Sequence, residues 1–537
     1  MRAKYRIVAL GNLDPHNWTK QDCFAPVLSH QELRLLLSIA VKNKCIPKTG
    51  DVSQAFCQSF LPKDEIYICK PPAGCPLTGE NKYWRLKKTL YGLKRSPRHW
   101  YAMAKRLLTE IGFKQSKHAP CIFVGNLIEN HPPIYLGLYV DDFLYFSESK
   151  EVEKKFEMEF AKKVPVTFDE EINYFLGIKF NNERHNNGDV TIKLSQTAYI
   201  EELCKTVKLD GEAVNTPKHP YRGGYPIDSI PTKEYDEVIQ KRLTLKMQTL
   251  VGLLNWLSVS TRPDIATVTS MLAKYSRQPS QGHIDAALRV VRYLKGTKNL
   301  KISFSTRENP KLQSFLNFPL PQTTLSGLCD ANWGPQDQSR PKEDQEQPEL
   351  ELFKTRSMSG FITWMNGPLM WMSKRQSFTA RSSAEAEIYA TDESTKNILH
   401  ILNIIHDIGL TSDLIHGPVQ IWNDNKACVC WTKSTTTKGL RHVQIRENAV
   451  RESVATGIVT VNHIEGKKNP SDIFTKEDKD IEHFVNVRNS IMCDEDTVET
   501  ENKQSNVNIT EGTDGQQLEA QQDTREPGGC QVGSSPT

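Results

Sequence analysis

Apolar positions along this chain change period several times, and the changes mark out its elements. Between Ser29 and Val41 they recur at helical spacing (Leu33, Leu36, Leu37, Ala40), with Ser29 placed as an N-cap. Arg2, Lys4 and Arg6 lead into Ile7-Val8-Ala9-Leu10, which reads as a strand. The turn Pro47-Lys48-Thr49-Gly50 precedes Asp51-Val52-Ser53-Gln54-Ala55-Phe56, so Asp51 falls at a strand end. Pro97 opens a helix predicted to reach Ile111. Leu138 to Phe146 is two runs of β-branched, aromatic and aliphatic residues around Asp141-Asp142, the pattern of strand, tight turn and returning strand. Helical spacing returns at Ala198, Ile200, Leu203, Cys204 and Val207, then over two or three helices between Leu243 and Gly296 that carry Arg262, Arg289, Arg292 and Lys295. Beyond these, Leu325–Cys329 is a short strand ahead of Asp330. Glu385 and Glu387 open a helix striped with Ile388, Ile398, Leu402 and Ile405. Val419–Trp422 is a strand leading to Asp424, and Asn469-Pro470-Ser471 starts a helix holding Asp472. Cys428 and Cys430 read as same-facing strand residues.

Composition adds limits rather than an assignment. A chain of 537 residues accommodates several domains. No apolar run is long enough to span a bilayer, and the N-terminus lacks a secretory pattern. The scattered cysteines offer no paired zinc-ligand spacing and fit reduced thiols in an intracellular compartment. Net charge is +4, but Asp494–Thr537 holds roughly ten acids and two bases, leaving about +12 for the remainder. That polar, Gly/Gln-rich tail buries too little apolar surface to offset ordering entropy and is expected to be disordered. A moderately basic remainder suits a polyanion, among other partners.

Two stretches carry candidate chemistry. Adjacent carboxylates at a hairpin tip repel unless a cation neutralises them, although Asp-Asp is also an ordinary surface turn. From Lys87 to Trp100, six cationic groups (Lys87, Lys88, Lys94, Arg95, Arg98, His99) interleave with Tyr91 and Trp100, and Gly92 permits close backbone approach. This composition fits phosphate-rich ligands; a solvated helix start fits it equally.

Asp51-Val52-x-x-Ala55-Phe56, Leu90-Tyr91-Gly92-Leu93-Lys94-x-x-Pro97-Arg98-x-Trp100-Tyr101 and Tyr139-Val140-Asp141-Asp142, in that order and spacing, resemble the reverse transcriptase of copia-type LTR retrotransposons. The resemblance continues through Tyr174-Phe175-Leu176-Gly177-Ile178, Leu250–Leu254, Thr261–Ala266 and Arg292–Thr297, and into a ribonuclease H region ending near Ile473-Phe474-Thr475-Lys476. It implies a mixed α+β fold: a right-hand polymerase with an antiparallel palm sheet, partial fingers and thumb (1–225), a helical connection (226–322), an α/β ribonuclease H-like domain (323–480) and the acidic tail (481–537).

The resemblance further implies an RNA-directed DNA polymerase with ribonuclease H activity. Asp51, Asp141 and Asp142 would be the polymerase metal ligands; Asp330, Glu387, Asp424 and Asp472 would be those of the nuclease. Each site would hold two Mg²⁺, with Mn²⁺ as a substitute, because hard cations take carboxylate and phosphate oxygens. Glu387 is preferred to Glu385 on the match of Ile388-Tyr389-Ala390. Arg6, Phe56, Tyr91 and Gly92 would bind the nucleotide, with the Phe56 ring excluding a ribose 2′-OH. Lys94 and Tyr174 would contact template and primer, and His442 matches a position near the nuclease site. Implied partners are an RNA template, a DNA primer, the RNA–DNA hybrid, dNTPs and the element's integrase, in a cytoplasmic virus-like particle with a nuclear phase. Two departures stand out: the chain begins inside the fingers, as an N-terminally truncated copy would, and an acidic insertion at 335–351 follows Asp330. They raise the alternative of a catalytically silent, co-opted nucleic-acid-binding remnant.

Overall fold

The computed structural model describes residues 7–14, 16–72, 82–221, 226–231, 235–316, 318–334, 356–434, 445–477 and 480–494. Arg6, His442, the acidic insertion and the tail from residue 495 onward lie outside them. The elements below belong to one unit, Met1–Cys493.

The first layer is a six-stranded antiparallel sheet, in spatial order Phe113–Gln115, Ile122–Gly125, Ile134–Tyr139, Asp142–Phe146, Lys48–Val52 and Val166–Asp169. Phe143 through Phe146 are all buried because helices cover both faces. One face turns Phe143 and Tyr145 toward Phe156 of the helix Lys150–Ala161, with ring centroids 6.0 and 5.0 Å away, and packs on the helix Ser96–Ile111 through Trp100. The other face turns Leu144 and Phe146 toward the helix His30–Lys42. The latter starts in a full capping box: Ser29 Oγ accepts from Glu32 N, and Glu32 accepts from Ser29 N at 2.7 Å. Opposite Phe143, Gly50 has no side chain for a reason, since a Cβ there would lie 2.2 Å from the Phe143 ring.

A second antiparallel sheet joins Tyr174–Phe175, Ile178–Arg184, Val190–Ser195 and Ile302–Ser305. Its first hairpin turns through Leu176 and Gly177, both at positive φ, as a two-residue loop between twisted strands favours. Three helices, Glu237–Ser260, Ala266–Ala273 and Gln281–Gly296, fill the region where two or three were expected. Arg262 is buried there and structural: it forks onto Asp264 at 2.9 and 2.7 Å, and Tyr293 OH donates to the same carboxylate at 2.6 Å.

The third sheet is mixed, in order Pro368–Arg375, Met358–Trp364, Ser326–Asn332, Val419–Asn423 and Val459–His463. Its first three strands are antiparallel and its last two join in parallel. The helix Ser383–Asp407 makes the crossover between the antiparallel and parallel parts. Two sequence expectations fail locally. Ile7–Leu10 forms no strand, and Cys428 and Cys430 lie on a helix, Lys426–Lys433, so one is buried and the other exposed. Apolar spacing is ambiguous between the two states in so short a segment.

These layers share one apolar core that reaches from Leu28 through Leu254 to Ile388 and Phe474. Arg34 crosses it. Only 2 % exposed, Arg34 donates from Nε to Leu369 O (2.6 Å) and from Nη1 to Val259 O and Ser260 O (both 2.9 Å), with its guanidinium 4.1 Å from the Trp371 ring centre. Burial pushes it down to about 9, which leaves it cationic at neutral pH. The cation therefore sits at the negative end of the helix Glu237–Ser260. Arg34→Met would orphan three carbonyls, and the expected loss is about 3–5 kcal/mol in urea unfolding. Lysine, with a point charge and no planar fork, is expected to recover only part of it.

Two candidate metal centres

Asp51 and Asp142 are register partners on adjacent strands, and Asp141 occupies the two-residue turn that leads into Asp142. Register alone therefore brings the three predicted acids to one sheet edge. The turn is held under strain. Val140, a β-branched residue, has φ +54°, a conformation that costs about 1–3 kcal/mol and persists only when its surroundings enforce it. Here the Trp100 indole donates to Val140 O, and Val52 N donates to Asp141 O at 2.9 Å. Buried Trp100 of the helix Ser96–Ile111 and the strand carrying Asp51 thus fix the position of Asp141. Burial, then the charges of Asp141 and Asp51, push Asp142 up to about 6. Such a crowded set of acids is matched to a divalent cation.

Phe56 lies on the short 3₁₀ turn Ala55–Gln58 and meets the Tyr91 ring edge-on, centroids 5.1 Å apart. Gly92, at φ +91°, is pressed against the chain's first described residues: a Cβ would lie 2.0 Å from Ala9 O, and Ala9 N donates to Tyr91 O at 2.7 Å. Lys94 is exposed, and Tyr174 is 60 % exposed on its hairpin. The basic stretch is less uniform than its sequence suggests. Arg95 and His99 both pair with buried Glu65, and Arg95 also stacks on Trp18 at 4.5 Å, so these two side chains brace the fold.

The second centre lies on the mixed sheet. Carboxylate oxygens of Asp330, Glu387 and Asp424 fall within 4.8 Å of one another. Asp330 lies inside its strand rather than beyond its end, paired with Gly360; Glu387 comes from the first turns of the long helix, and Asp424 directly follows Val419–Asn423. Burial is the first cause that raises all three acids. Asp330 reaches about 7, with Asp472 and Asp424 adding to the rise and Lys476 opposing it. Glu387 is raised well above its usual range by burial and the charges of Asp330 and Asp424, and Asp424 is raised as well. Asp330 is 1 % exposed, and its Oδ1 has no hydrogen-bond partner among the described residues. A buried carboxylate with an unpartnered oxygen, clustered with two further carboxylates, fits a hard cation.

Glu385 takes a different part. It accepts from Arg381 N and its own N–H is capped by Ser382 Oγ, so it closes the helix start. Asp472, the fourth predicted acid, stands outside the trio and pairs with Lys476 Nζ at 2.7 Å. Three supporting residues went unrecognised in the sequence. Asn423 donates to Glu387 Oε2 at 2.9 Å, Thr475 Oγ1 donates to Asp330 Oδ2, and Lys476 Nζ lies 3.6 Å from that same oxygen. In the sequence Thr475-Lys476 is legible only as the end of a motif, and Asn423 lies between the predicted strand Val419–Trp422 and Asp424.

A raised acid favours the folded state below its unfolded pKa and loses that contribution as pH rises through the folded value. For Asp142 the loss therefore accumulates as pH rises from 3.8 and is complete above about 6. Asp142→Asn is expected to raise the thermal midpoint of the metal-free chain at pH 8, and the gain should shrink as pH falls below 6. Thermal melts in chelator at both pH values check this.

Residues 1–220 match the family model described as reverse transcriptase (RNA-dependent DNA polymerase). The chain is 28% identical over 483 residues to the retrovirus-related Pol polyprotein from transposon RE1 of Arabidopsis thaliana, covering 88% of this chain and 29% of that relative. With the Pol polyprotein from transposon TNT 1-94 of Nicotiana tabacum it is 25% identical, covering 89% and 33%. The Ty1-DR6 Gag-Pol polyprotein of Saccharomyces cerevisiae is 26% identical, covering 88% and 25%. The chain thus spans about a third or less of the length of these relatives. A solved structure of the foamy viral protease-reverse transcriptase in complex with an RNA/DNA hybrid aligns with TM-score 0.38 and 12% identity, covering 78% of this chain and 44% of that one. Residues 1–220 thus match the reverse transcriptase family model, and most of the chain is similar to a part of the Pol polyproteins of these transposons.

Proposed function

We propose that this chain is an RNA-directed DNA polymerase with a second centre that cuts the RNA strand of an RNA–DNA hybrid. One observation carries the polymerase reading: strand register and a strained, doubly pinned turn bring Asp51, Asp141 and Asp142 to one sheet edge. Mg²⁺ bound there would supply the positive charge that an attacking 3′-oxygen and a departing pyrophosphate require. Asp51, Asp141 and Asp142 would hold it. Phe56, braced edge-on by Tyr91, would form the wall against a ribose 2′-OH, and Gly92 would set the pocket floor. Arg6 is assigned to the triphosphate, Lys94 to the template and Tyr174 to the primer. On this reading residues 1–225 form the polymerase with palm, fingers and thumb, 226–322 the connection and 323–480 the nuclease. The substrates are an RNA template, a DNA primer and dNTPs, with the element's integrase as a partner in the particle.

The nuclease reading is supported by the mixed sheet and its acidic trio. Asp330, Glu387 and Asp424 would hold the ion, and Asn423 orients Glu387 by its hydrogen bond. Asp472 would join as the fourth acid.

Primer extension on poly(rA)·oligo(dT) with Mg²⁺ is expected to proceed with the wild-type chain. It should fall to the no-enzyme background for the Asp141→Asn, Asp142→Asn double variant. Equal background for both would leave the silent, nucleic-acid-binding reading. Independently, labelled RNA in a hybrid should be cleaved by the full chain and survive with Asp424→Asn, while that variant keeps primer extension.

A further inference from the structure

Of Arg262, Arg289, Arg292 and Lys295, all but one are engaged by the protein itself. Arg262 forks onto Asp264, Arg289 donates from Nε to Tyr221 O at 2.6 Å, and Lys295 Nζ donates to Gly211 O. Arg292 differs. It is partly buried, yet its guanidinium has no hydrogen bond or ion pair among the described residues. It lines a cavity of about 290 Å³, near the lower end of the range of small-molecule sites. One wall is a single face of the helix Gln281–Gly296, where Asp285, Arg289 and Arg292 follow at spacings of four and three residues. The facing wall is apolar, built from Tyr221, Ile227, Ile230 and Val268. Ile230 closes on the helix so tightly that a Cβ on Gly282 would lie 2.7 Å from its Cγ2.

The opposite charge on this face is Asp285. It is exposed; Gln281 Nε2 donates to its Oδ1 at 2.8 Å, and its Oδ2 has no protein partner among the described residues. Seven residues of helix separate Asp285 from Arg292, about 10 Å along the axis. A ligand complementary to the cavity therefore carries an anion at one end, hydrogen-bond donors at the other and an apolar face between. A nucleotide has that order of groups. Its phosphate takes two parallel N–H bonds from a guanidinium, and its base lies against the apolar wall with one edge toward the carboxylate. A carboxylate only accepts, so it selects the base with two adjacent N–H donors on its Watson–Crick edge, which is guanine. Adenine presents a ring-nitrogen acceptor there and is disfavoured. We propose that this cavity is a binding site for a guanine nucleotide, with the phosphate on Arg292 and the base edge on Asp285. The inference is independent of both metal centres, because none of their acids lines the cavity.

The probe is guanosine 5′-monophosphate, added in chelator to the full chain carrying Asp51→Asn, Asp141→Asn and Asp142→Asn, and followed by equilibrium dialysis. One bound nucleotide per chain is expected. Adding Arg292→Met should weaken it by about tenfold or more, whereas guanosine without its phosphate should bind the parent and Arg292→Met equally. Arg292→Lys, which keeps the charge but not the planar fork, should recover part of the affinity. Asp285→Asn should remove the preference over adenosine 5′-monophosphate. Competition by an oligonucleotide with a 5′-phosphorylated guanosine end would assign the site to a strand terminus; its failure to compete would assign it to the free mononucleotide. No saturable binding, or equal binding by the parent and an Arg292→Met variant of unaltered circular dichroism, would overturn the proposal. An unchanged preference in Asp285→Asn would overturn the assignment of the base.

Discussion

The buried cation Arg34 ties three regions of the core together. Its donors go to carbonyls from two other regions, the last turn of the helix Glu237–Ser260 and Leu369 of the mixed sheet, while its own helix covers the six-stranded sheet. Around it the contacts are of the same kind: Ser38 Oγ donates to Met365 O, Asn366 Nδ2 donates to Ser38 O, and the Trp371 indole donates to Ser258 O. Each links a side chain of one region to the backbone of another. Buried backbone groups that lose such partners are costly, so the layers are joined through polar satisfaction as well as through shared apolar surface.

Within that frame, each acidic centre depends on elements that carry no charge. At the first, the energy stored in Val140 is held by an indole and a strand N–H, and the reward is a defined place for Asp141. The second centre is buried more deeply, and that burial raises its acids. Both centres are therefore unfavourable as bare carboxylates and favourable once neutralised, the usual compromise of a site shaped for function rather than stability.

Much of this could be read from the chain. Helical and alternating periods located the helices His30–Lys42 and Ser96–Ile111 and the Asp141-Asp142 hairpin, because those segments are long or strongly patterned. Motif spacing then placed Asp51, Asp330, Glu387 and Asp424 in sets that the fold brings together. What escaped is governed by distant partners. Nothing local distinguishes Arg95, locked onto Glu65, from its chain neighbour Lys94, which stays exposed. Likewise, Glu385 and Glu387 differ only in the turn of helix each faces, and Lys476 gains its meaning from an aspartate 146 residues earlier in the chain. Short, weakly patterned segments such as Lys426–Lys433 stayed ambiguous between helix and strand.

The helix Ser383–Asp407 carries Glu387 near its start and ends on Asp407, whose Oδ2 accepts from Ser116 Oγ (2.8 Å), Lys117 N (2.7 Å) and His118 N (2.9 Å). Burial would raise Asp407, but the His118 N–H and the Ser116 hydroxyl outweigh it and hold the group at about 2, so it stays ionised at any ordinary pH. The loop it grips leads directly into the sheet that presents Asp141 and Asp142. A rod of 25 residues, about 37 Å long, thus joins the acidic trio of the mixed sheet to a loop of the six-stranded sheet, and the spacing between those two points is set by helix length rather than by any hinge.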